Sequence, residues 1–303
     1  MNFIIILAFF CTFPWQTLAI LGGKRENDPK KFPWMVQIRS YHSGWSIFGY
    51  ITGSQGFNEC GGSIISKKAI LTAAHCVDGT TQAHRVRVVM GSTIRTQQGE
   101  KNVNSIIIHP GYQFPHNDIA ILILSEDIEF SDAIKPIKLP TPGFFQDYNR
   151  RKKIFSAGWG RAYQNQNDIR SWQEQYEEMQ EKCSQGFGYC EKIKSFTKSI
   201  QEKYNYPTSL QSLELKYEKC PTRYNTNLCI KGIIPQTQGL CFGDSGGPIM
   251  SLDMSNGQYE IIGINSFIGY THEIYQCTTI EPAKAARVSK YVPWIQENVN
   301  DLP

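Results

Sequence analysis

Gly243-Asp244-Ser245-Gly246-Gly247-Pro248 is the stretch on which the reading of this 303-residue chain turns. A serine hydroxyl is a poor nucleophile until a neighbouring base takes its proton and an oxyanion site receives the charge that develops. Glycines on both sides let the backbone turn tightly and aim N–H groups at one point. Gly243 and Ser245 could then offer two backbone donors to a tetrahedral intermediate, with Ser245 as the nucleophile. The competing reading is a glycine-rich turn with an incidental serine. It accounts well for Ser-Gly-Gly alone and poorly for the whole hexapeptide. The decision rests on whether a base, and a group to orient it, occur elsewhere.

Two other stretches provide them. Thr72-Ala73-Ala74-His75-Cys76 ends an apolar run that begins at Ala69. Asn117-Asp118-Ile119-Ala120-Ile121-Leu122 opens an apolar strand with a carboxylate, which would be half buried there and would need a partner. The imidazole N–H of His75 is the natural one, because that bond holds the ring in the tautomer able to accept the serine proton. His42, His84, His109, His116 and His272 sit in no such motif and read as bystanders. With the motifs in the order His, Asp, Ser, nearly all of the chain after residue 19 resembles the trypsin-like (chymotrypsin-fold) serine peptidases. The resemblance implies an all-β fold: two antiparallel six-stranded β-barrels with the active site between them, and a C-terminal helix. It also implies a monomer that needs no cofactor. Its partners would be protein or peptide substrates and proteinaceous peptidase inhibitors.

Composition agrees with a globular protein, and a net charge of +4 without basic clusters leaves no nucleic-acid footprint. Phe3–Phe13 is an apolar run too short to span a bilayer with ease, broken at Pro14, with small residues at Thr17-Leu18-Ala19. Residues 1–19 therefore read as a signal peptide and 20–303 as a secreted domain with no membrane anchor. Of nine cysteines, Cys11 leaves with that segment; the other eight, in an oxidising compartment, read as four disulfides. Sequence alone leaves on the order of a hundred pairings open. The resemblance selects Cys60–Cys76, Cys220–Cys229 and Cys241–Cys277. No zinc-type Cys-His spacing occurs, and between Val86–Met90 and Val103–Ile108 only Glu100 offers a hard ligand, so no metal is expected.

Strands are expected at Phe32–Arg39, Val86–Met90, Val103–Ile108 and Tyr259–Phe267, with Tyr41–Glu59 as a long loop. The barrels should cover about 30–130 and about 150–288, joined by Ser131–Pro142. The segment 168–206 departs from the resembled pattern. Trp172, Tyr176, Met179 and Cys183 form one helical stripe, and Ile193, Phe196, Ile200 and Tyr204 another. They read as an inserted helical hairpin closed by Cys183–Cys190. Ser289–Asn300 reads as the C-terminal helix, capped by Ser289, with Trp294, Ile295 and Val299 facing inward.

In the resembled family an aliphatic amino terminus pairs with the Asp before the catalytic serine, here Ile20 with Asp244. Family zymogens carry Arg or Lys before that residue, whereas this chain has Ala19, so signal peptidase itself would expose Ile20. The specificity pocket falls on Gly239, Ser266, Ile268 and Ala283, and Ser266 would also support Asp118. Gly239 stands where relatives that cut after Arg or Lys have Asp, and a buried, unpaired guanidinium costs several kcal/mol. Ile268 replaces a glycine of open pockets, as in elastase-type peptidases. Cleavage after small aliphatic residues is therefore expected. A chymotrypsin-like preference for Leu or Phe, and a catalytically silent binding protein on the same fold, remain alternatives.

Overall fold

The computed structural model describes residues 20, 22–42, 56–78, 82–96, 99–141, 152–163, 175, 178–179, 181–184, 204–224, 226–234, 238–268, 277 and 282–303. A two-residue strand, β1 (Lys24–Arg25), leads into six strands: β2 (Met35–His42), β3 (Gly56–Ile64), β4 (Ala69–Thr72), β5 (Val86–Met90), β6 (Lys101–Ile108) and β7 (Ala120–Leu124). They close as an antiparallel barrel in the order β2-β3-β4-β7-β6-β5. Every residue of β4 is buried and nearly every one of β7. Both faces of these strands are covered, so they read as continuous apolar runs instead of alternating ones.

The second half begins with β8 (Lys152–Gly158), followed by the short pair β9 (Ala162–Tyr163) and β10 (Tyr204–Asn205). Then come β11 (Gln211–Tyr217), β12 (Asn227–Gly232), β13 (Pro248–Asp253), β14 (Gln258–Phe267) and β15 (Ala283–Arg287). The order β11-β12-β15-β14-β13-β8 closes through β8 on β11, and β1 lies along the outer edge of β11. This is the second antiparallel six-stranded barrel. A single helix, α1 (Val288–Asn298), follows β15 without a loop.

The barrels share a core. Trp34, Phe32, Phe155 and Tyr259 form a cluster of edge-on and tilted rings across the junction. Leu210 N–H donates to Thr93 O, and Trp159 Nε1–H donates to the same carbonyl at 2.9 Å. The connecting segment is stitched to both halves: Ile137 N–H donates to Ile64 O, and Ile261 N–H donates to Lys138 O.

Several boundaries differ from the sequence reading. The first long strand starts at Met35, because Phe32 O accepts the Met35 N–H in a turn holding Pro33, which has no N–H to pair. The loop after it is shorter than read, since Tyr41 and His42 pair with Phe57 and Gly56. Residues 43–55 lie outside the described residues. The C-terminal helix is uncapped by Ser289. Strand β15 passes straight into it, so Ser289 is already in the first turn and Arg287 stands at the cap without a side-chain bond. Ile295 and Val299 are buried and Trp294 packs against the core, as read.

Of the expected hairpin, Gln175, Glu178, Met179 and Glu181–Ser184 are helical. Met179 and Cys183 are half buried while Glu178 and Glu181 are exposed, which fits the first stripe. Cys183 is disulfide-bonded, but its partner, like the second arm through residue 203, lies outside the described residues. Tyr204 was read as helical and is instead strand, paired with Tyr163. Its ladder partner outcompetes the helical period. The signal segment 1–19 also lies outside the described residues.

Candidate active site

His75 sits on a single tight turn, Ala74–Cys76, between β4 and the loop that follows. Cys60 on β3 is bridged to Cys76, and Ser40 Oγ–H donates to Cys76 O at 2.8 Å, so the turn is anchored on both sides. A bridge closing a loop of this size stabilises by about 3 kcal/mol. Cys60, Cys76 and His75 lie within metal-binding distance of one another, but the two sulfurs are bonded to each other and hold no thiolate to offer.

Asp118 is 1 % exposed at the start of the β7 segment. The residue before it, Asn117, has φ of 51°, a left-handed conformation that asparagine tolerates. Its side chain holds Gly111 O and receives Lys290 Nζ and Tyr291 Oη from α1. The sequence reading missed this support. The Asp118 carboxylate accepts three bonds: His75 N–H to Oδ1 at 2.9 Å, His75 Nδ1 to Oδ2 at 2.7 Å, and Ser266 Oγ–H to Oδ2. Burial raises the Asp118 pKa, but the facing imidazole and these donors outweigh it and hold the group below its ordinary value. Burial likewise lowers the pKa of His75, and the charge and hydrogen bond of Asp118 overcome it, leaving the ring more basic than usual. With Nδ1 engaged, Nε2 is the nitrogen left to accept a proton.

Ser245 approaches from the second barrel. Gly61 N–H donates to Ser245 O at 2.7 Å, which ties the serine loop to the residue after Cys60. Asn265 on β14 clamps the same loop from behind. Its N–H bonds Gly247 O, its carbonyl accepts Gly246 N–H, and its Nδ2 donates to Asp244 O at 3.1 Å. Asn265 went unnoticed in the sequence; a buried amide inside Ile264-Asn265-Ser266 was the available signal. Gly246 has φ of +76°, and a Cβ there would lie 2.3 Å from Thr72 Oγ1, so no other residue fits. Among the described residues, the N–H groups of Gly243 and Ser245 donate to no protein acceptor, and the Ser245 hydroxyl makes no hydrogen bond to His75. Serine–imidazole contacts are often long in empty sites and tighten with substrate.

Asp244 is equally buried, at 1 % exposure. Its two oxygens accept the N–H groups of Gly160 and Cys241, each at 2.9 Å. No cation faces it among the described residues, and burial pushes its pKa up to about 7. Ile20 is fully buried in the core of the second barrel with Ile154, Leu213 and Leu228. It follows Ala19 here and so carries an amide, not an amine.

Ile268 packs on the cluster that includes Leu240 and Ala283. A Cβ on Gly239 would lie 2.3 Å from Cys277 O, within the loop braced by Cys241–Cys277. Cys220–Cys229 is also formed. From His75 an aromatic ridge runs through Phe114 and Phe267 to Tyr224, with ring centroids 5.8, 5.8 and 5.2 Å apart. The buried Lys284 holds Nζ 5.2 Å from Tyr224 and 5.3 Å from Phe267. Phe114, Tyr224 and Lys284 were not singled out from the sequence, since no spacing rule links them.

A family model described as Trypsin matches residues 20–202 and 180–295. Similar proteins include the clotting factor G beta subunit of Tachypleus tridentatus, 27% identical over 297 residues that cover 95% of this chain and 82% of that protein. Chymotrypsin-C of Bos taurus is 27% identical over 296 residues, 94% of this chain and 91% of its own. Collagenase of Hypoderma lineatum is 29% identical over 277 residues, 86% of each.

Proposed function

The chain belongs to the trypsin family, and from that premise we propose that it is a secreted serine endopeptidase working through His75, Asp118 and Ser245. The observation that carries the reading is the finished His75–Asp118 pair, with Ser266 behind it and the Ser245 loop tied to the neighbouring Gly61. His75 Nε2 takes the Ser245 proton as Oγ attacks the peptide carbonyl. The oxyanion is received by the unengaged N–H groups of Gly243 and Ser245, each donor worth roughly 3–4 kcal/mol. His75 then gives its proton to the leaving amine, and water repeats the sequence on the acyl-enzyme.

The preferred acyl residue is small and aliphatic. Ile268 and Ala283 narrow the pocket, no carboxylate stands at Gly239, and the Cys277 carbonyl leaves no room for one. The active form begins at Ile20, whose freed amine becomes the counter-charge of Asp244, with residues 1–19 removed as a signal segment. The disulfides fit an oxidising destination.

Labelling of the secreted protein with an active-site-directed organofluorophosphate tests the hydrolase reading. One adduct on Ser245 is expected. A folded protein starting at Ile20 that takes no label is a binding protein, and the reading fails. A library of peptides preferring Phe or Leu before the cleaved bond would refute the pocket assignment.

A further inference from the structure

Resting on the peptidase reading, a second inference concerns what lies beyond the cleaved bond. A small cleft lies beside Gly243, and its lining includes Arg39, Glu59, Cys60, Arg95 and Tyr206. Gly243 and Cys60 join it to the proposed chemistry, since Cys60 is bridged to the residue after His75. Ala283 and Ile268 of the proposed acyl pocket belong to or pack on the core cluster of the second barrel. On the peptidase reading His75 protonates the leaving amine, so a cleft on the Cys60–Cys76 side of His75 is assigned to the leaving-group flank.

Its charges do not balance. Arg39 pairs with Glu59 through Nε and with Glu100 through Nη1, both at 3.1 Å. Arg95 takes the other oxygen of Glu59, and Arg87 lies 4.0 Å from Glu100. Arg161 adds a further guanidinium, 5.1 Å from the Tyr206 ring, while Arg95 stands 4.6 Å from the same ring. Among the described residues Arg161 has no carboxylate partner, and its buried Nε bonds to nothing. Around the cleft four arginines thus stand against two carboxylates; Arg39, Arg95 and Glu59 line it, and Arg161 adjoins it through the Tyr206 ring. The backbone of Arg161 is fixed, because its N–H donates to Phe242 O at 2.6 Å, one residue before Gly243. A planar guanidinium held on an aromatic face and lacking an acceptor is built to take a carboxylate through two parallel bonds.

We propose that the Arg161 guanidinium, on the Tyr206 ring at the edge of this cleft, binds a carboxylate carried by the substrate on the leaving-group side, within the first two residues beyond the cleaved bond. Two sources fit, an acidic side chain or a free chain terminus, and the test separates them. Peptides sharing one optimal acyl half would carry Glu with an amidated end, Gln with an amidated end, or Gln with a free terminal carboxylate.

For the wild-type protein starting at Ile20, kcat/KM should rise about tenfold from the Gln amide to the Glu amide, the scale of one hydrogen bond to a charged group. The advantage should shrink with added salt. An advantage confined to the free-terminus peptide would support the cleft and identify a terminus as its occupant. In Arg161→Gln the ratio should fall to about one, and Arg161→Lys should restore part of it. Because each protein is read as a ratio of its own rates, a general loss of activity does not obscure the result. Equal rates on all three peptides, or a ratio unchanged in Arg161→Gln, would overturn the inference while leaving the peptidase reading intact. Failure of the wild-type protein to hydrolyse even a simple ester of the preferred acyl residue would overturn both.

Discussion

Among the described residues each barrel buries one aspartate, and the two behave in opposite ways. Asp118 and Asp244 are both 1 % exposed. Asp118 meets an imidazole and a hydroxyl and is held below its ordinary pKa; Asp244 meets only two backbone N–H groups and is pushed up to about 7. Burial acts on both in the same direction, so the cation decides the sign. The first barrel brings its share of the site already neutralised. The second brings a loop with unengaged N–H groups at Gly243 and Ser245, the proposed oxyanion donors, whose anchoring carboxylate still wants a counter-charge. In this molecule that need is the physical reason for proposing that freeing the Ile20 amine completes the site.

The largest effects should come from the groups proposed to react. Ser245→Ala should reduce kcat/KM on a peptide ester by roughly a millionfold, and Asp118→Asn by about ten-thousandfold, because the wrong tautomer then faces the serine. An Asp118→Asn protein within tenfold of the wild type would break the comparison at its first member.

Asp244 supplies the next effect. Its folded pKa lies above the ordinary carboxylate value, so the folded chain binds the extra proton between about pH 4 and 7. Stability contributed by that proton is present at low pH and is lost as pH rises toward 7. A shift from 3.8 to about 7 amounts to roughly 4 kcal/mol for this fully buried group. Urea midpoints at pH 4.5 and 7.5, measured on Ser245→Ala protein with and without residues 1–19, read it directly. The longer form should lose stability across that interval relative to the form beginning at Ile20. Parallel pH dependence in the two forms would show that the amine does not reach Asp244.

How much of this was visible in the sequence follows the same division. Local motifs carried the groups proposed to react, because Thr72–Cys76, Asn117–Leu122 and Gly243–Pro248 each fix their own backbone and the fold need only bring them together. The barrel strands followed from apolar runs. What could not be read were partners distant in sequence with no pattern of their own. Asn265 clamps the serine loop, Asn117 is pinned from α1, and Lys284 sits under two rings. Each is one polar residue whose meaning depends on what the other strand places opposite. Strand ends were misread where a turn or a ladder overrode local pattern, as at Phe32 and Tyr204.

The proposed acyl pocket extends the comparison to specificity. Ile268→Gly should open the slot and move the ratio of kcat/KM for Phe against Ala before the cleaved bond by about a hundredfold toward Phe, within the 1–3 kcal/mol that apolar pockets discriminate. An unchanged ratio would mean that Ile268 does not line the pocket.

The smallest effect tests how the finished half is tuned. His75 is more basic than an ordinary imidazole because Asp118 faces it, and it must be neutral to act as base. Activity should therefore be lost as pH falls through a midpoint above the usual imidazole value, and be full above it. Ser266 Oγ–H takes up part of the Asp118 charge. In Ser266→Ala that charge falls entirely on the imidazolium, which it stabilises further, so the midpoint should rise, on the order of half a pH unit. The kcat/KM profile of the variant against the wild type measures this shift. A downward movement would mean that the hydroxyl positions the carboxylate more than it shares its charge, since a carboxylate swung away from Nδ1 would leave the ring less basic.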